Sequence, residues 1–281
     1  MKREEVAGRL LVLVTLGLTA FGLVMVYSAT SAAAAVGGHD PGYYLKRQAI
    51  YAALGVGLLV VLSRRDYRRL RQAAPALMLV TIGLLLAVLV IGTSVNGAKR
   101  WISFGPAAFQ PSELAKVALA IWAAAYLARR RAPQTLKELI KPIGTMAGFV
   151  CVLVLAEPDL GTAIAIVVML AAVLLVSGTP TRVLASATGI AVTLALLAIW
   201  LEPYRRARLL AFLDPWGDSQ GTGFQTVQAM IGLGSGGIFG VGLGQSVQKV
   251  NYLPEAHTDM IFAIIGEELG LVGAAAVIAA Y

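Results

Sequence analysis

Apolar residues along the chain are gathered into eight long blocks that short polar segments separate. A helix crosses a bilayer core of ~30 Å with about 20 apolar residues, within a range of roughly 17–25. Most blocks reach that length with their mildly polar flanks, whereas the second and the fifth are short. The blocks are Leu10–Val26, Ile50–Leu62, Ala73–Ile91, Val117–Ala128, Ile143–Leu155, Leu160–Val176, Val183–Leu201 and Met260–Ala280. The pattern predicts an all-α polytopic membrane protein with eight transmembrane helices.

Composition supports this class, because 58% of the residues are hydrophobic and only 14% are charged, against roughly 25% charged in soluble domains. The first block could be a signal peptide, since Met1–Arg9 is basic. It is longer than the 7–15 residues typical of a signal core, and further spans follow, so we expect a retained helix. The only cysteine, Cys151, lies inside a predicted span, so no disulfide can form within the chain.

Lysine and arginine are unevenly divided between the segments that join the spans. With the N-terminus in the cytoplasm, the inside segments hold 14 of them and the outside segments hold 8. This orientation is favoured because cytoplasmic loops carry the excess of positive charge, although the cluster Arg205–Arg208 opposes it locally. The net charge of +8 therefore reflects topology and not nucleic-acid binding. Eleven of the 15 acidic residues lie outside or near the outer ends of spans, so we expect the chemistry outside.

Two short outer segments differ from ordinary loops. In residues 96–116, Gln110-Pro111 is typical of a helix start, and Glu113 and Lys116 then share one helix face. An interfacial anchor of aromatic residues with a simple surface ion pair explains this segment equally well. In residues 157–162 two carboxylates flank a proline, which indicates either a tight turn or functional acids that must be solvated or paired.

The outer segment of residues 202–258 is too long for a simple connection and too rich in aromatic and aliphatic residues for disorder. We expect short amphipathic or re-entrant helices in it. Residues 232–237 match GxGxxG, but a dinucleotide site also needs a strand before the glycines, so close backbone packing or a hinge is favoured. Glu255, His257 and Asp259 could be interpreted as a metal site, but the chain has only two histidines, His39 and His257, and no second cluster with the spacing of metal ligands, so a zinc enzyme is not favoured.

Asp259 lies where this long segment meets the last span. A carboxylate at the membrane edge can act as a general base if partial burial raises its pKa. Alternatively, Thr258 or Asp259 is a simple N-cap of the last helix. Glu267 and Glu268 lie deeper in that span, where acids are costly, and could pair with cations on other spans. Cations on the same side could stabilise a departing pyrophosphate; these are Lys99, Arg100, Arg205, Arg206, Arg208 and Lys249.

At these positions the chain resembles the SEDS family of cell-wall proteins. The motifs that carry the resemblance are NGAKRWI, FQPSELAK, EPDLGT, LDPWGD, GTGFQ, GLGSGG, GLGQSVQK and YLPEAHTDMIFAIIGEELGLVG. They occur in the family's order and at similar spacing from about Gln48 to the end of the chain. The last motif and YRRARLLAFLDPW are closer to the division branch than to the elongation branch.

The resemblance implies roles for particular residues. Asp259 of the HTD motif is the implied catalytic carboxylate. The implied polar cavity for substrate contains Glu113 and Lys116, their ion-pair partners Arg47 and Asp159, and also His257, Glu255, Lys99 and Arg100. It implies no protein-bound metal and no tightly bound cofactor, while a divalent cation such as Mg²⁺ or Mn²⁺ could accompany the substrate's phosphates.

The resemblance also implies an activity. SEDS proteins are peptidoglycan glycosyltransferases that polymerise lipid II into glycan strands on the outer face of the bacterial cytoplasmic membrane. The expected partners are lipid II, the undecaprenyl-linked glycan, a class B penicillin-binding protein of the FtsI type and divisome membrane proteins. Three alternatives stay open, namely an elongation polymerase of the same family, a lipid II flippase and a non-catalytic scaffold for the penicillin-binding protein.

The family has ten spans, so the resemblance predicts that eight of the usual ten are present. We expect residues 1–281 to form a single integral membrane domain that is truncated at its C-terminus. Residues 202–258 form its large extracytoplasmic loop in this prediction. The N-terminus is expected in the cytoplasm and the active site outside it.

Overall fold

The computed structural model describes residues 2–36, 40–95, 98–104, 107–250, 253–254 and 256–281. A π-helical turn, Ile140–Gly144, joins α5 to α6 in this part of the chain. The helices are α1 (Lys2–Val36), α2 (Tyr43–Ser63), α3 (Arg68–Ile91), α4 (Pro111–Leu127), α5 (Leu136–Leu139), α6 (Thr145–Ala156), α7 (Leu160–Val176), α8 (Thr181–Leu201), α9 (Pro203–Leu213), α10 (Phe224–Ser235) and α11 (Ile261–Ala280). The strands are β1 (Thr93–Val95), β2 (Ala98–Phe104) and β3 (Ala107–Phe109).

Each of the eight predicted spans coincides with a helical segment. Six segments in the described ranges are long and apolar enough to cross a membrane. The other two, α4 and α7, have 17 residues each, the lower limit for a span. The two short sequence blocks lie inside 21-residue segments, Tyr43–Ser63 and Leu136–Ala156, because less apolar flanks extend the helices. The prediction of a helical multi-pass membrane protein is confirmed.

The chain divides into two compact units. The first unit combines Met1–Arg64 with Pro203–Tyr281, and the second is Arg65–Glu202. The first therefore contains α1, α2 and the segment from α9 to α11, and the second contains the sheet and α3 to α8. A single domain over residues 1–281 stays a prediction.

The core of the second unit lies between α3, α4, α6 and α7. Small residues on one face of α4, namely Ala115, Ala118 and Ala123, are fully buried. Small side chains let helix backbones approach closely, which favours association where water supplies no hydrophobic driving force. Leu85 of α3 and Ile166 of α7 fill the remaining space, and both are fully buried.

The core of the first unit is formed by α1, α10, α11 and the segment before α11. Met25 and Ala29 of α1 pack with Ile264 of α11. Leu253 and Ala256, in the segment that leads to α11, are buried in the same cluster. This segment is therefore part of the core and not a loose connection.

Apolar side chains also cover the outer surface of the helices, unlike those of soluble proteins. α2 and α8, which the structure describes throughout, contain no buried residue. Exposed leucine, isoleucine and valine line both helices. Such helices meet lipid on most of their surface, because the hydrocarbon core is as apolar as these side chains.

A three-stranded antiparallel sheet joins α3 to α4 and was not predicted. In β2 the side chains alternate, so Ala98, Arg100 and Ile102 lie on one face and Lys99 and Ser103 on the other. Ala98 and Ile102 are buried, whereas Lys99 and Ser103 are exposed. The strands are short, and glycine, proline and charged residues within this segment obscure the alternation in the sequence.

The last span, α11, is interrupted at Gly270, whose φ is 69° and ψ is −168°. The interruption frees backbone groups that must find partners inside a membrane protein. The carbonyls of Glu267 and Glu268 accept hydrogen bonds from the N–H groups of Val241 and Gly242 at 2.9 and 3.0 Å. The N–H groups on the far side of the break donate to carbonyls of residues 237 and 238 at 2.9 and 3.2 Å.

The glycine-rich run after α10 packs directly against this interruption. A Cβ on Gly236 would lie 2.0 Å from the carbonyl oxygen of Gly266, and one on Gly240 would lie 2.1 Å from that of Glu268. The expectation of close backbone packing for the GxGxxG match is therefore confirmed. Helices α9 and α10 also confirm the short helices expected between residues 202 and 258, and their location at a membrane interface stays a prediction.

The break predicts that Gly270→Ala destabilises the protein. The backbone of Gly270 lies in a region that only glycine adopts readily, which costs another residue on the order of 1–3 kcal/mol. The new Cβ would also lie 2.4 Å from the nitrogen of Gly240. We expect a clearly lower Tm for the detergent-solubilised protein, measured by thermal unfolding.

Gly57→Ala in α2 is the matched control, because a Cβ there meets no atom within 4 Å. Its Tm should stay equal or rise slightly, since alanine is the better helix former. An equal loss of Tm in both variants would contradict the interruption at Gly270.

Candidate functional site

The start of α4 has the geometry that the sequence predicted. Gln110 is the N-cap residue, and Pro111 begins the helix, where a missing N–H breaks no helical bond. Lys116 Nζ lies 2.8 Å from Glu113 Oε1, and the two side chains are 30% and 56% exposed. The prediction that both lie on one helix face is confirmed. A partly exposed pair stabilises little, and its assignment to a substrate cavity stays a prediction.

Asp159 caps α7 and connects that helix to the start of α4. Its Oδ1 accepts from the N–H of Thr162 at 3.0 Å, and its Oδ2 accepts from Thr162 Oγ1 at 2.8 Å. The side-chain amide of Gln110 donates to Oδ2 at 3.0 Å. The EPDLGT motif therefore forms the expected tight turn, and one buried carboxylate joins it to the FQPSELAK motif.

Arg100 holds the same turn from the sheet. Its Nε donates to the carbonyl oxygen of Glu157 at 2.9 Å, and its Nη2 donates to that of Pro158 at 2.6 Å. Lys99 points to the opposite face of β2 and is exposed. The two cations that the sequence placed together are thus separated by the strand's pleat, and Arg100 already has backbone partners.

Glu157 also belongs to this site, although the sequence did not identify it as a candidate residue. Its side chain is fully buried, and neither carboxylate oxygen has a hydrogen-bond partner within the described part of the chain. The pKa of Glu157 is raised to about 7, chiefly by burial and also by the nearby charge of Asp159, while the charge of Arg100 lowers it. The signal in the sequence was the pair of acids only two residues apart between two apolar spans.

The acid pair in α11 is the main polar feature of the first unit. Glu267 accepts a short hydrogen bond from the Ser246 hydroxyl and one from the N–H of Val247 at 3.0 Å. Glu268 forms an ion pair with Lys249, with Nζ and Oε1 2.8 Å apart, and accepts from Ser28 Oγ at 2.7 Å. The alternative in which both acids pair with cations on other spans is wrong, because their partners come mostly from the GLGQSVQK motif.

Lys249 is correspondingly not an exposed loop cation. Lys249 is only 4% exposed, and its ammonium donates to Glu268 and Ser28. In this structure Lys249 therefore has no free face for a pyrophosphate. Three arginines of the same group of cations lie on α9, where Arg205 is half-buried and Arg206 and Arg208 are exposed.

The HTD motif lies between the buried segment and α11. The ring of His257 packs against that of Tyr44 at the start of α2, with centroids 4.3 Å apart. Asp259 is exposed, and its carboxylate has no hydrogen-bond or ion-pair partner among the described residues. Helix α11 begins at Ile261 with Met260 as N-cap and no side-chain cap bond, so the cap interpretation of Asp259 is wrong. The partial burial expected of a general base is likewise absent here.

Arg47 and Glu255 are the remaining residues of the implied cavity in the first unit. The guanidinium carbon of Arg47 lies 5.9 Å from the ring centroid of Tyr51, within range of a cation–π interaction. The ion pairing of Arg47 and Asp159 with Glu113 and Lys116 that the resemblance implies stays a prediction. Glu255 lies outside the described residues. Within the described ranges, no group of three or more His, Cys, Asp and Glu residues could hold a metal ion.

The buried carboxylate of Glu157 predicts a pH-dependent stability. Its pKa is raised from 4.5 to about 7, so the folded protein keeps a proton that the unfolded chain loses. Stability therefore falls as the pH rises between these two values and is constant above them. Glu157→Gln cannot ionise, so its gain over the parent should grow from near zero at acidic pH to about 3 kcal/mol above neutrality.

Thermal unfolding of the parent and of Glu157→Gln across this pH range checks the prediction. Glu138→Gln is the matched control, because Glu138 is an exposed acid. A constant difference in Tm between parent and Glu157→Gln at all pH values would contradict it.

The cap on α7 predicts different effects for two substitutions of Asp159. Asp159→Ala removes the acceptor for Thr162 and should lower the free energy of unfolding by about 1–2 kcal/mol. Asp159→Asn keeps an oxygen acceptor and should lower it much less. Thermal unfolding measures both, and equal losses in the two variants would show that the carboxylate's charge, and not the cap, is what stabilises the fold.

Comparison with known proteins identifies the family. Residues 8–281 match the model of the cell cycle protein family that comprises FtsW, RodA and SpoVE. A probable peptidoglycan glycosyltransferase FtsW of Aromatoleum aromaticum is 42% identical over 271 residues, which cover 94% of this chain and 66% of the relative. A probable peptidoglycan glycosyltransferase FtsW of Geobacter sulfurreducens is 39% identical, and the match covers 100% of this chain and 76% of that relative.

Two solved structures are also similar. One is a chain of a peptidoglycan synthase complex, with a TM-score of 0.67 and 31% identity, covering 93% of this chain and 74% of that chain. The other is Thermus thermophilus RodA, a rod shape determining protein, with a TM-score of 0.65 and 28% identity, covering 96% of this chain and 70% of RodA.

The chain spans slightly less than two thirds of the length of the first relatives, 66% of the Aromatoleum aromaticum protein and 64% of the Escherichia coli protein. The family match nevertheless extends over nearly all of the chain, and the relatives that resemble it here are named FtsW. The chain belongs to the SEDS family of FtsW, RodA and SpoVE proteins and is most like FtsW.

Proposed function

We propose that the protein is a peptidoglycan glycosyltransferase that polymerises lipid II for septal wall synthesis in cell division. Relatives that are 42% and 39% identical to the chain carry the name probable peptidoglycan glycosyltransferase FtsW. The observation in the structure that supports the proposal best concerns the environment of Asp259. Its carboxylate is exposed and without a partner among the described residues, yet the segment that precedes it is anchored in a buried core.

The proposed reaction transfers the growing lipid-linked glycan to the 4-hydroxyl of the N-acetylglucosamine of lipid II. Asp259 accepts the proton of that hydroxyl while the hydroxyl oxygen attacks the anomeric carbon of the glycan. The bond from this carbon to the pyrophosphate breaks, so undecaprenyl pyrophosphate leaves and the anomeric configuration inverts. A general base of this kind contributes roughly 10²–10⁴-fold to the rate. Substrate and lipid would exclude water and supply the desolvation that the exposed carboxylate lacks.

The departing pyrophosphate needs positive charge. Arg206 and Arg208 of α9 are exposed cations in the same unit as Asp259, and preorganised cations stabilise developing charge on a leaving group. Arg47 and Lys99 are further candidates for substrate phosphates. A divalent cation, Mg²⁺ or Mn²⁺, is proposed to arrive with these phosphates and not in a dedicated protein site.

The location and partners follow from the same proposal. The N-terminus lies in the cytoplasm and Asp259 at the outer face of the bacterial cytoplasmic membrane, in agreement with the distribution of lysine and arginine. The partner is a class B penicillin-binding protein of the divisome. A structure similar to this chain is part of a synthase complex that coordinates polymerization and crosslinking, which supports such a partner.

The proposal predicts that Asp259→Ala abolishes polymerisation. The full chain, purified with its penicillin-binding partner, should convert labelled lipid II into polymer, and the variant should lose at least about 100-fold in rate. Asp66→Asn is the matched control, because it removes an exposed carboxylate and keeps the oxygen that accepts the N–H of Arg68. This control should polymerise at the parent's rate.

Polymer from a well-folded Asp259→Ala variant would remove Asp259 from the mechanism. If the parent makes no polymer but moves lipid II across liposome membranes, the protein is a flippase. If the parent does neither and only binds the penicillin-binding protein, it is a scaffold.

A further inference from the structure

A buried ionic cluster joins three distant parts of the first unit. Lys249 Nζ lies 2.8 Å from Glu268 Oε1 and 3.3 Å from Ser28 Oγ. Ser28 Oγ lies 2.7 Å from both oxygens of Glu268. The side chains of Lys249 and Glu268 are 3% and 0% exposed. The cluster thus connects α1, α11 and the segment between α10 and α11.

Either charge of this cluster is costly to bury without the other. Removing one partner of a buried ion pair leaves an uncompensated charge in a medium of low dielectric constant, which is strongly unfavourable. Lysine and glutamate within a membrane protein are costly for the same reason. Separating the two charges is therefore unfavourable, and the ion pair fixes the position of Lys249 on α11.

Lys249 is also the start of the segment that leads to Asp259, ten residues later. Leu253 N–H donates to the carbonyl oxygen of Gln248 at 2.9 Å, and Leu253 itself is buried. The amide of Gln225 donates to the carbonyl oxygen of Pro254 at 3.2 Å. Because the carboxylate of Asp259 makes no bond of its own in the described chain, its position depends on these anchors and on the contact of the His257 ring with Tyr44.

We propose that Lys249 is a positioning residue for Asp259, an inference that rests on the proposed function. Its ion pair with Glu268 fixes residues 246–250 on α11, at the start of the chain that leads to Asp259, and thereby holds the Asp259 carboxylate where it can accept the proton of the attacking hydroxyl. Lys249 acts through Asp259 and does not contact the pyrophosphate, which replaces the role that the sequence suggested.

Two variants separate positioning from simple stabilisation. Lys249→Met removes the ammonium and keeps the length of the side chain, but leaves Glu268 unpaired and should lower the Tm. The double variant Lys249→Met with Glu268→Gln removes both charges. Replacing a buried ion pair by neutral groups is often tolerated, so the Tm of the double variant should return close to that of the parent.

The position of the segment is measured directly by a nitroxide label. Cys151 is the only cysteine of the chain, so Cys151→Ser with Thr258→Cys gives one labelled site beside Asp259. The electron paramagnetic resonance spectrum of the label reports whether this site is ordered, and it does not depend on activity. Polymerisation rates are measured on the unlabelled proteins.

We expect a more mobile label in both Lys249 variants. The kcat for lipid II polymerisation should fall about 100-fold, as for a misplaced catalytic group, with little change in KM, and it should not recover in the double variant. Lys46→Met is the matched control, because it removes a lysine whose contact with Asp40 is exposed. Its spectrum, Tm and kcat should equal those of the parent.

The proposal is overturned if the label keeps the parent's spectrum in the double variant, or if kcat recovers together with Tm. Either result would make the ion pair a purely structural contact. A parent that forms no polymer would instead argue against the proposed function. In that case the spectra alone still decide whether Lys249 orders the segment.

Discussion

Two adjacent carboxylates in an apolar helix require hydrogen-bond and ion-pair partners, and this requirement determines how the first unit is arranged. Glu267 and Glu268 are 2% and 0% exposed within α11, where an unpaired charge is very costly. Ser246, two backbone N–H groups, Lys249 and Ser28 supply their partners. The segment after α10 must therefore fold back onto α11, and its continuation carries Asp259 to the start of that helix.

The backbone of α11 imposes a second requirement of the same kind. The interruption at Gly270 frees carbonyl and N–H groups, and irregular backbone at membrane depth is tolerated only when protein satisfies it. Glycines at residues 236 and 240 allow the approach that these hydrogen bonds need. In the second unit, Asp159 and Arg100 satisfy helix ends and turn carbonyls in the same way. In both units, motifs that resemble catalytic signatures also complete the hydrogen bonding of the fold.

The sequence predicted the features that depend on composition and local pattern. Eight apolar blocks give eight helical segments, and Pro111 marks the start of α4. It did not predict the small sheet, whose strands are too short for a clear alternation. The burial of Lys249 and Glu157 was also not predicted, because it depends on contacts between residues far apart in the chain. A lysine in a polar loop and a glutamate in a turn give no local sign that they are buried.

Hydrogen–deuterium exchange of the protein in lipid nanodiscs tests this account most directly. The amides of residues 241, 242, 271 and 272 donate to carbonyls across the interruption of α11, so the peptides that contain them should exchange as slowly as the helices of the core. Peptides from the exposed turn at residues 214–222 should exchange quickly. Fast exchange of residues 241–249 would show that this segment does not pack on α11, and the explanation of how Asp259 is held would fail.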